Sequence, residues 1–133
     1  MADSLLSLVV PAYKQEKTIT KDIKSLDRAL SSLHLRHEII VVVDGFVDNT
    51  FKKAEKFSSN QVKIIGYKEN KGKGFAIKTG VAAAQGDIIG FIDSGMDLDP
   101  NEISIMLNIM QWNHADIVIG SKLHPDSIVN YPT

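Results

Sequence analysis

The strongest constraint on this chain is an alternation. Five short apolar or β-branched runs, Leu5–Val10, Glu38–Val43, Val62–Gly66, Asp87–Ile92 and Asp116–Ile119, are separated by stretches long enough to hold a helix. After the first run, Ile19, Ile23, Leu26, Leu30 and Leu33 recur at spacings of four, three, four and three, with charged residues between them. That is the pattern of a helix with one apolar face. A weaker helical stretch runs from Asp48 to Phe57 and another from Lys73 to Ala84. The best-marked helix opens at Asp99, a good N-cap, with Pro100 at its first position and Glu102 completing a capping box; Ile103, Met106, Leu107 and Met110 form its apolar face. Parallel strands need crossover connections, so the alternation predicts an α/β fold, a mostly parallel sheet with helices on both faces.

A length of 133 residues suits one core, and residues 1–133 read as a single domain. Fifteen basic residues against sixteen acidic ones leave a net charge of −1, so no global field draws the chain to nucleic acid or to an anionic membrane. Phosphate binding, if present, is local. The chain has no cysteine, which excludes disulfides and thiolate metal sites and fits a reducing cytosol. The longest aliphatic run, Ile39–Val43, falls far short of the roughly 20 residues that span a bilayer, and the N-terminus lacks a signal pattern. The expectation is a soluble, cytoplasmic protein.

In open sheets of this class, ligands bind outside the carboxyl ends of the strands. In the first loop there, Pro11, Ala12, Tyr13 and Gln15 can offer a flat wall and an amide to a base or ribose, or simply end a strand with a packed tyrosine. The second places Asp44 at a strand end, with Asp48 or Asn49 suited to cap the next helix. The third, Asn70-Lys71-Gly72-Lys73-Gly74, leads into a helix whose free amides favour phosphate. It is neither a P-loop, since Gly74 stands where Ser or Thr would hold magnesium, nor a dinucleotide fingerprint, since Ile77 takes the third glycine position. The fourth loop holds Asp93, Asp97 and Asp99, three carboxylates in seven residues; with Asp99 taken by the helix cap, Asp93 and Asp97 remain for a hard cation or a ribose. His34 and His37 flank a turn and read as surface residues, whereas His124 lies on the ligand side past the fifth strand.

Taken in order, Val9-Val10-Pro11-Ala12-Tyr13, Asp44-Gly45 with Asp48-Asn49-Thr50, the lysine-glycine loop, Gly86 through Asp93, Asp99-Pro100 and Gly120-Ser121-Lys122 resemble the amino-terminal half of inverting family-two glycosyltransferases. The likeness is greatest to those that load a sugar onto a polyprenyl phosphate, such as dolichyl-phosphate mannose or glucose synthases. It covers about residues 5–131. The resemblance implies a Rossmann-like nucleotide-diphospho-sugar transferase fold. It implies a UDP- or GDP-linked sugar as donor and a lipid phosphate as acceptor. Pro11, Ala12, Tyr13, Gln15 and Asp44 would hold base and ribose. Lys71, Gly72 and Lys73 would lie near the nucleotide. Asp93, Ser94 and Gly95 would open the metal motif, where Mg2+ or Mn2+ would neutralise the diphosphate.

The sequence departs from that family at several points. Lys14 and Gln15 stand where Asn and Glu are usual, and Val43 replaces the first of two adjacent aspartates. Gly95 replaces the second aspartate of the metal pair, leaving Asp97 as a substitute ligand. In the family the catalytic base and the acceptor-holding segments follow this half. The expectation is therefore the donor-binding part of a longer enzyme, inactive alone in transfer, self-associating through uncovered surface, and lying at the membrane surface in a longer form. The competing reading is a non-catalytic nucleotide-binding or protein-interaction module with a degenerate metal motif. Metal dependence of nucleotide binding is the feature expected to separate the two.

Overall fold

The computed structural model describes residues 4–34, 36–94, 105, 117–120 and 128–131. Along the chain run β1 (Leu5–Ala12), α1 (Ile19–Ser32), β2 (Arg36–Asp44), α2 (Thr50–Glu55), β3 (Val62–Tyr67), α3 (Lys73–Ala83), β4 (Ile88–Phe91), β5 (Ile117–Gly120) and β6 (Ile128–Tyr131). The sheet order is β3-β2-β1-β4-β5-β6. β3 through β5 in that order are mutually parallel, and β6 pairs antiparallel to β5. The chain winds outward from β1 through β2 to β3, then crosses back by α3 to place β4 on the other side of β1. The mostly parallel sheet is thus as the alternation predicts, and its strand order reverses beside β1.

Alternate residues of the central strands feed two cores. On one face Leu6, Leu8, Val10 and Ala12 of β1, with Ile39, Val41 and Val43 of β2, pack against Ile19, Ile23, Leu26 and Leu30 of α1 and Ala54 of α2. On the other, Val9, Ile40 and Val42 meet Ala76 of α3. Both faces are covered, which is why β1 and β2 read as unbroken apolar runs. α3 lies close to the sheet because Gly80 has no side chain; a Cβ there would sit 2.3 Å from Val9 Cγ1 and 3.2 Å from Val42 Cγ2.

Several boundaries differ from expectation for identifiable reasons. β1 continues through Pro11, which pairs in register with Val42, and ends at Ala12. β2 begins at Arg36, so His37, expected at the surface, enters the sheet and is buried with its Nε2 3.0 Å from Asp27 Oδ1. His34 stays exposed. α2 is shorter than its pattern: Asn49 occupies the cap position without a side-chain bond, while Asp48 Oδ1 accepts from Thr50 N and Thr50 Oγ1. Burial opposes the charge on Asp48, but the two Thr50 donors outweigh it and hold the carboxyl below its ordinary range. β6 was not expected; four residues between Pro125 and Pro132 give little pattern to read. Of the helix expected from Asp99 through Met110 one residue, Ile105, is described, helical and exposed; its other residues, with Gly95, Asp97, Ser121, Lys122 and His124, lie outside the described residues.

Opposite the carboxyl ends of the strands, a buried polar knot joins β1, β2 and the turn after α3. Ser7 and Glu38 face each other in register, both buried. The Ser7 hydroxyl donates to Glu38 Oε2, which also accepts from Gln85 N at 2.7 Å, and Gly86 N donates to Ser7 Oγ at 2.8 Å. Lys63 Nζ lies 2.9 Å from Glu38 Oε1. A Cβ on Gly86 would fall 2.6 Å from the Leu5 carbonyl, so the turn fits only as glycine.

Burial opposes the charge on Glu38, and the Ser7, Gln85 and Lys63 interactions overcome it, so its carboxyl is held below 4.5. A carboxylate whose folded pKa is depressed adds stability above its unfolded pKa, and that stability is lost as pH falls through the folded value. Glu38→Gln is therefore expected to cost about 1–3 kcal/mol at neutral pH through unmatched buried partners. It should also flatten the loss of stability on acidification below pH 4.5. Urea unfolding at neutral and acid pH checks both; parallel pH profiles for the two proteins would remove Glu38 from the acid response.

Candidate functional site

The reversal of strand order beside β1 opens a crevice at the carboxyl ends of β1, β2 and β4, the usual ligand position in such sheets. A cleft of about 450 Å³ lies there. The end of β1 and the loop after it supply Pro11, Ala12, Tyr13 and Gln15; β2 supplies Asp44; the β3–α3 loop supplies Asn70 and Gly72; α3 opens with Lys73; and the segment after β4 supplies Asp93 and Ser94. Of the candidate residues named from sequence, nine line this one cleft. Lys71 is not among its lining residues, and Gly95 is outside the described residues.

Asp44 is the structural centre of the site. It is buried, and both carboxylate oxygens are taken. Oδ1 accepts from Tyr67 OH at 2.7 Å and from Lys71 N at 2.8 Å. Oδ2 accepts from Asn70 Nδ2 at 2.9 Å and from Gly72 N at 3.0 Å. The carboxylate thus gathers the lysine-glycine loop into a turn around itself. Gly45 beside it has φ +101°, and a Cβ there would lie 2.9 Å from Asn70 N. Burial and the bond to Asp44 push the Tyr67 hydroxyl well above its ordinary pKa. Lys71 follows its amide outward: its ammonium lies over the Phe75 ring, 4.7 Å from the centroid, beside the Tyr67–Phe75 edge-to-face pair.

The first loop is locked from below. Gln15 O accepts from Thr18 N and Ile19 N, opening α1, while Gln15 N donates to the buried Thr50 hydroxyl at 2.9 Å. Lys53 Nζ donates to Glu16 O. Tyr13 stands above these bonds with a half-exposed ring facing the cleft and the Lys14 ammonium 5.3 Å from its centroid. On the opposite wall Ser94 N donates to Pro11 O, and Ser94 Oγ donates to Asp22 Oδ2 at 3.0 Å. Lys73 spans the cleft to Asp93, with Nζ 2.7 Å from Oδ1 and 2.8 Å from Oδ2.

Asn70, Thr50 and Tyr67 hold the site together without having been singled out by type. Asn70 sits inside the lysine-glycine motif and Thr50 inside the Asp-Asn-Thr motif, so motif membership was the only signal available. Tyr67, the last residue of β3, was signalled only by its place at the ligand-side end of that strand.

The sheet order, and the cleft at the carboxyl ends of its strands, are those of the nucleotide-diphospho-sugar transferase fold. The sequence model of Glycosyl transferase family 2 matches residues 7–130, and the chain belongs to that family. It is 35% identical to human dolichyl-phosphate beta-glucosyltransferase over 136 residues, covering 90% of this chain and 41% of that protein. To dolichol-phosphate mannosyltransferase of Pyrococcus furiosus it is 30% identical over 129 residues, 96% of this chain and 36% of that one. The chain thus spans well under half the length of these relatives. Among solved structures, S. aureus TarS in complex with UDP-GlcNAc superposes with a TM-score of 0.67 at 25% identity, covering 84% of this chain and 32% of that chain. Mycobacterium tuberculosis glucosyl-3-phosphoglycerate synthase, in complex with Mn2+, UDP and glucosyl-3-phosphoglycerate, gives 0.61 at 28%, covering 82% and 40%.

Two outcomes follow from this geometry. Asp44→Asn turns an acceptor among four donors into a group carrying its own NH2, and is expected to cost about 1–3 kcal/mol. It should also return the Tyr67 hydroxyl toward ordinary titration. Phenolate absorbance against pH reads the second effect directly, and an unchanged curve would mean that Asp44 does not hold Tyr67. Separately, Lys14 has φ +52°, a left-handed conformation that Asn adopts more easily than Lys. Lys14→Asn is expected to stabilise the domain by about 0.5–1 kcal/mol, measured by thermal or urea unfolding; a loss of stability would show that Lys14 contributes more by charge than it costs in backbone strain.

Proposed function

We propose that this domain binds the donor of an inverting glycosyl transfer, a UDP- or GDP-linked sugar, for delivery to an acceptor such as a polyprenyl phosphate. The observation that carries the reading is the convergence of loops from β1, β2, β3 and β4 on one cleft inside the family-matched segment. Tyr13 offers its ring to the base, and the β1–α1 loop offers amide groups to base and ribose. Asp44 acts on the ligand through the loop it organises, because its oxygens are already bonded. The first turn of α3 and Lys73 present positive charge to the diphosphate. Human and archaeal relatives carry names that specify dolichyl or dolichol phosphate, which supports a lipid-phosphate acceptor. Among the described residues, no helix is long and apolar enough to cross a membrane. The proposed setting is the cytoplasmic membrane surface, with self-association through surface that the rest of a longer enzyme would cover.

The metal that the family implies meets a poor ligand set here. Among the described residues no three His, Cys, Asp or Glu side chains group to hold an ion. Asp93 already faces an ammonium, Gly95 has no side-chain oxygen to add, and Asp97 lies outside the described residues. Mg2+ or Mn2+ would supply charge neutralisation of the diphosphate if held by Asp93 and Asp97. No step of donor binding is assigned to it.

Saturating UDP or GDP is expected to raise the melting temperature, since a ligand at one hundred times its Kd adds about 2.7 kcal/mol of stability. Differential scanning fluorimetry against UDP, GDP, UMP, GMP and the corresponding sugar nucleotides, each with and without Mn2+, checks this. Indifference to every nucleotide in both series would overturn the donor-binding reading. A response to monophosphates equal to that for diphosphates would remove the diphosphate from it.

A further inference from the structure

Resting on the donor-binding reading, we infer that Lys73 is the counter-cation of the donor diphosphate in this protein, positioned by Asp93, and that donor binding here needs no divalent metal.

Asp44 is committed to the loop between β3 and α3, so among the described lining residues Asp93 is the carboxylate left for a cation. Both of its oxygens already receive the Lys73 ammonium, at 2.7 and 2.8 Å. A hard divalent ion takes about six oxygen ligands or more and tolerates no ammonium in its coordination sphere. To use Asp93 it would have to expel Lys73, and Gly95 gives it no side-chain oxygen, which leaves Asp97 as the motif's substitute ligand. A diphosphate asks for neither. An ammonium carries three donors, and Lys73 and Asp93 are both partly exposed to the cleft, so one side of the ammonium can meet phosphate oxygen while Asp93 keeps the other.

The surrounding backbone favours the same ligand. Lys73 is the first residue of the eleven-residue α3, and Gly72 and Gly74 flank it; a Cβ built on either would meet nothing within 4 Å. Phosphate oxygens can therefore come close to the first turn of α3 beside the ammonium. Asp93 touches the lysine and not the phosphate, so it is a positioning residue: it draws the long lysine side chain across the cleft, where a solvated lysine would sample many rotamers. Binding indifferent to metal then belongs to a competent donor site as well as to a degenerate module. The criterion expected to separate those two readings loses its force.

Calorimetric titration of the whole chain with UDP and with GDP, first in excess EDTA and then in Mn2+, tests the inference. The expected result is one affinity for the preferred nucleotide, equal within about threefold in both conditions. Lys73→Ala should weaken binding in EDTA tenfold or more, and Lys73→Arg should restore most of it. Freed from its ammonium, Asp93 in Lys73→Ala should also let Mn2+ bind more tightly, read by electron paramagnetic resonance without nucleotide. A thermal melt confirms that each variant is folded. Affinity that rises tenfold or more with Mn2+ in the wild type, or metal-free binding that survives Lys73→Ala, overturns the role given to Lys73 while leaving the donor reading intact. Failure of both nucleotides to bind in either condition overturns the donor reading itself and this inference with it.

Discussion

A carboxylate buried at the end of a central strand is costly unless every lone pair finds a donor, and Asp44 obtains its donors from a single stretch of chain. The Tyr67 hydroxyl, the Asn70 amide and the backbone of Lys71 and Gly72 all converge on it. The cleft depends on this convergence. The bonds fix where β3 hands over to α3, hence where the first turn of α3 lies and from which point Lys73 reaches across to Asp93. A residue expected at the ligand has both of its carboxylate oxygens bonded to the β3–α3 loop.

The remaining walls follow the same logic with weaker means. Thr50 is buried at the start of α2, accepting from Gln15 N and donating to Asp48, so the loop after β1 and the helix after β2 share one hydroxyl. Lys53 and Asn49 add bonds to Glu16. Polar side chains at the carboxyl ends of the strands are largely bonded to backbone of the neighbouring loop. Such loops can be irregular and still stand still.

The fold was legible because both cores lie on the middles of β1 and β2, where Leu8–Val10 and Ile39–Val43 are apolar and buried on both faces. The loops of the site were legible by position, since strand ends in a parallel sheet point to one side. Division of labour within them was not. Asp44 and Asp93 are both aspartates after apolar strands, yet one is enclosed by the loop between β3 and α3 and the other faces a single lysine across the cleft. That difference depends on how two loops fold over one another, which no spacing records. His37 was misread for a related reason: a strand edge two residues earlier than its apolar run moves a histidine from water into the sheet. The apolar run marks where a strand is buried, while hydrogen bonding to β1 sets where it begins.

The two carboxylates of β2 also act together on α3. Asp44 binds the residue that caps the helix at its start, and Glu38 binds the residue that follows its end. Six residue steps of strand at about 3.3 Å carry the chain about 20 Å from one carboxylate to the other. Thirteen steps from Gly72 to Gln85, at about 1.5 Å each where helical, cover about the same distance. Strand and helix are cut to one length and riveted at both ends, with Gly80 letting them lie flush between the rivets. A residue added to either member would leave one rivet without its hole, so the strand serves as the gauge to which the crossover helix is made.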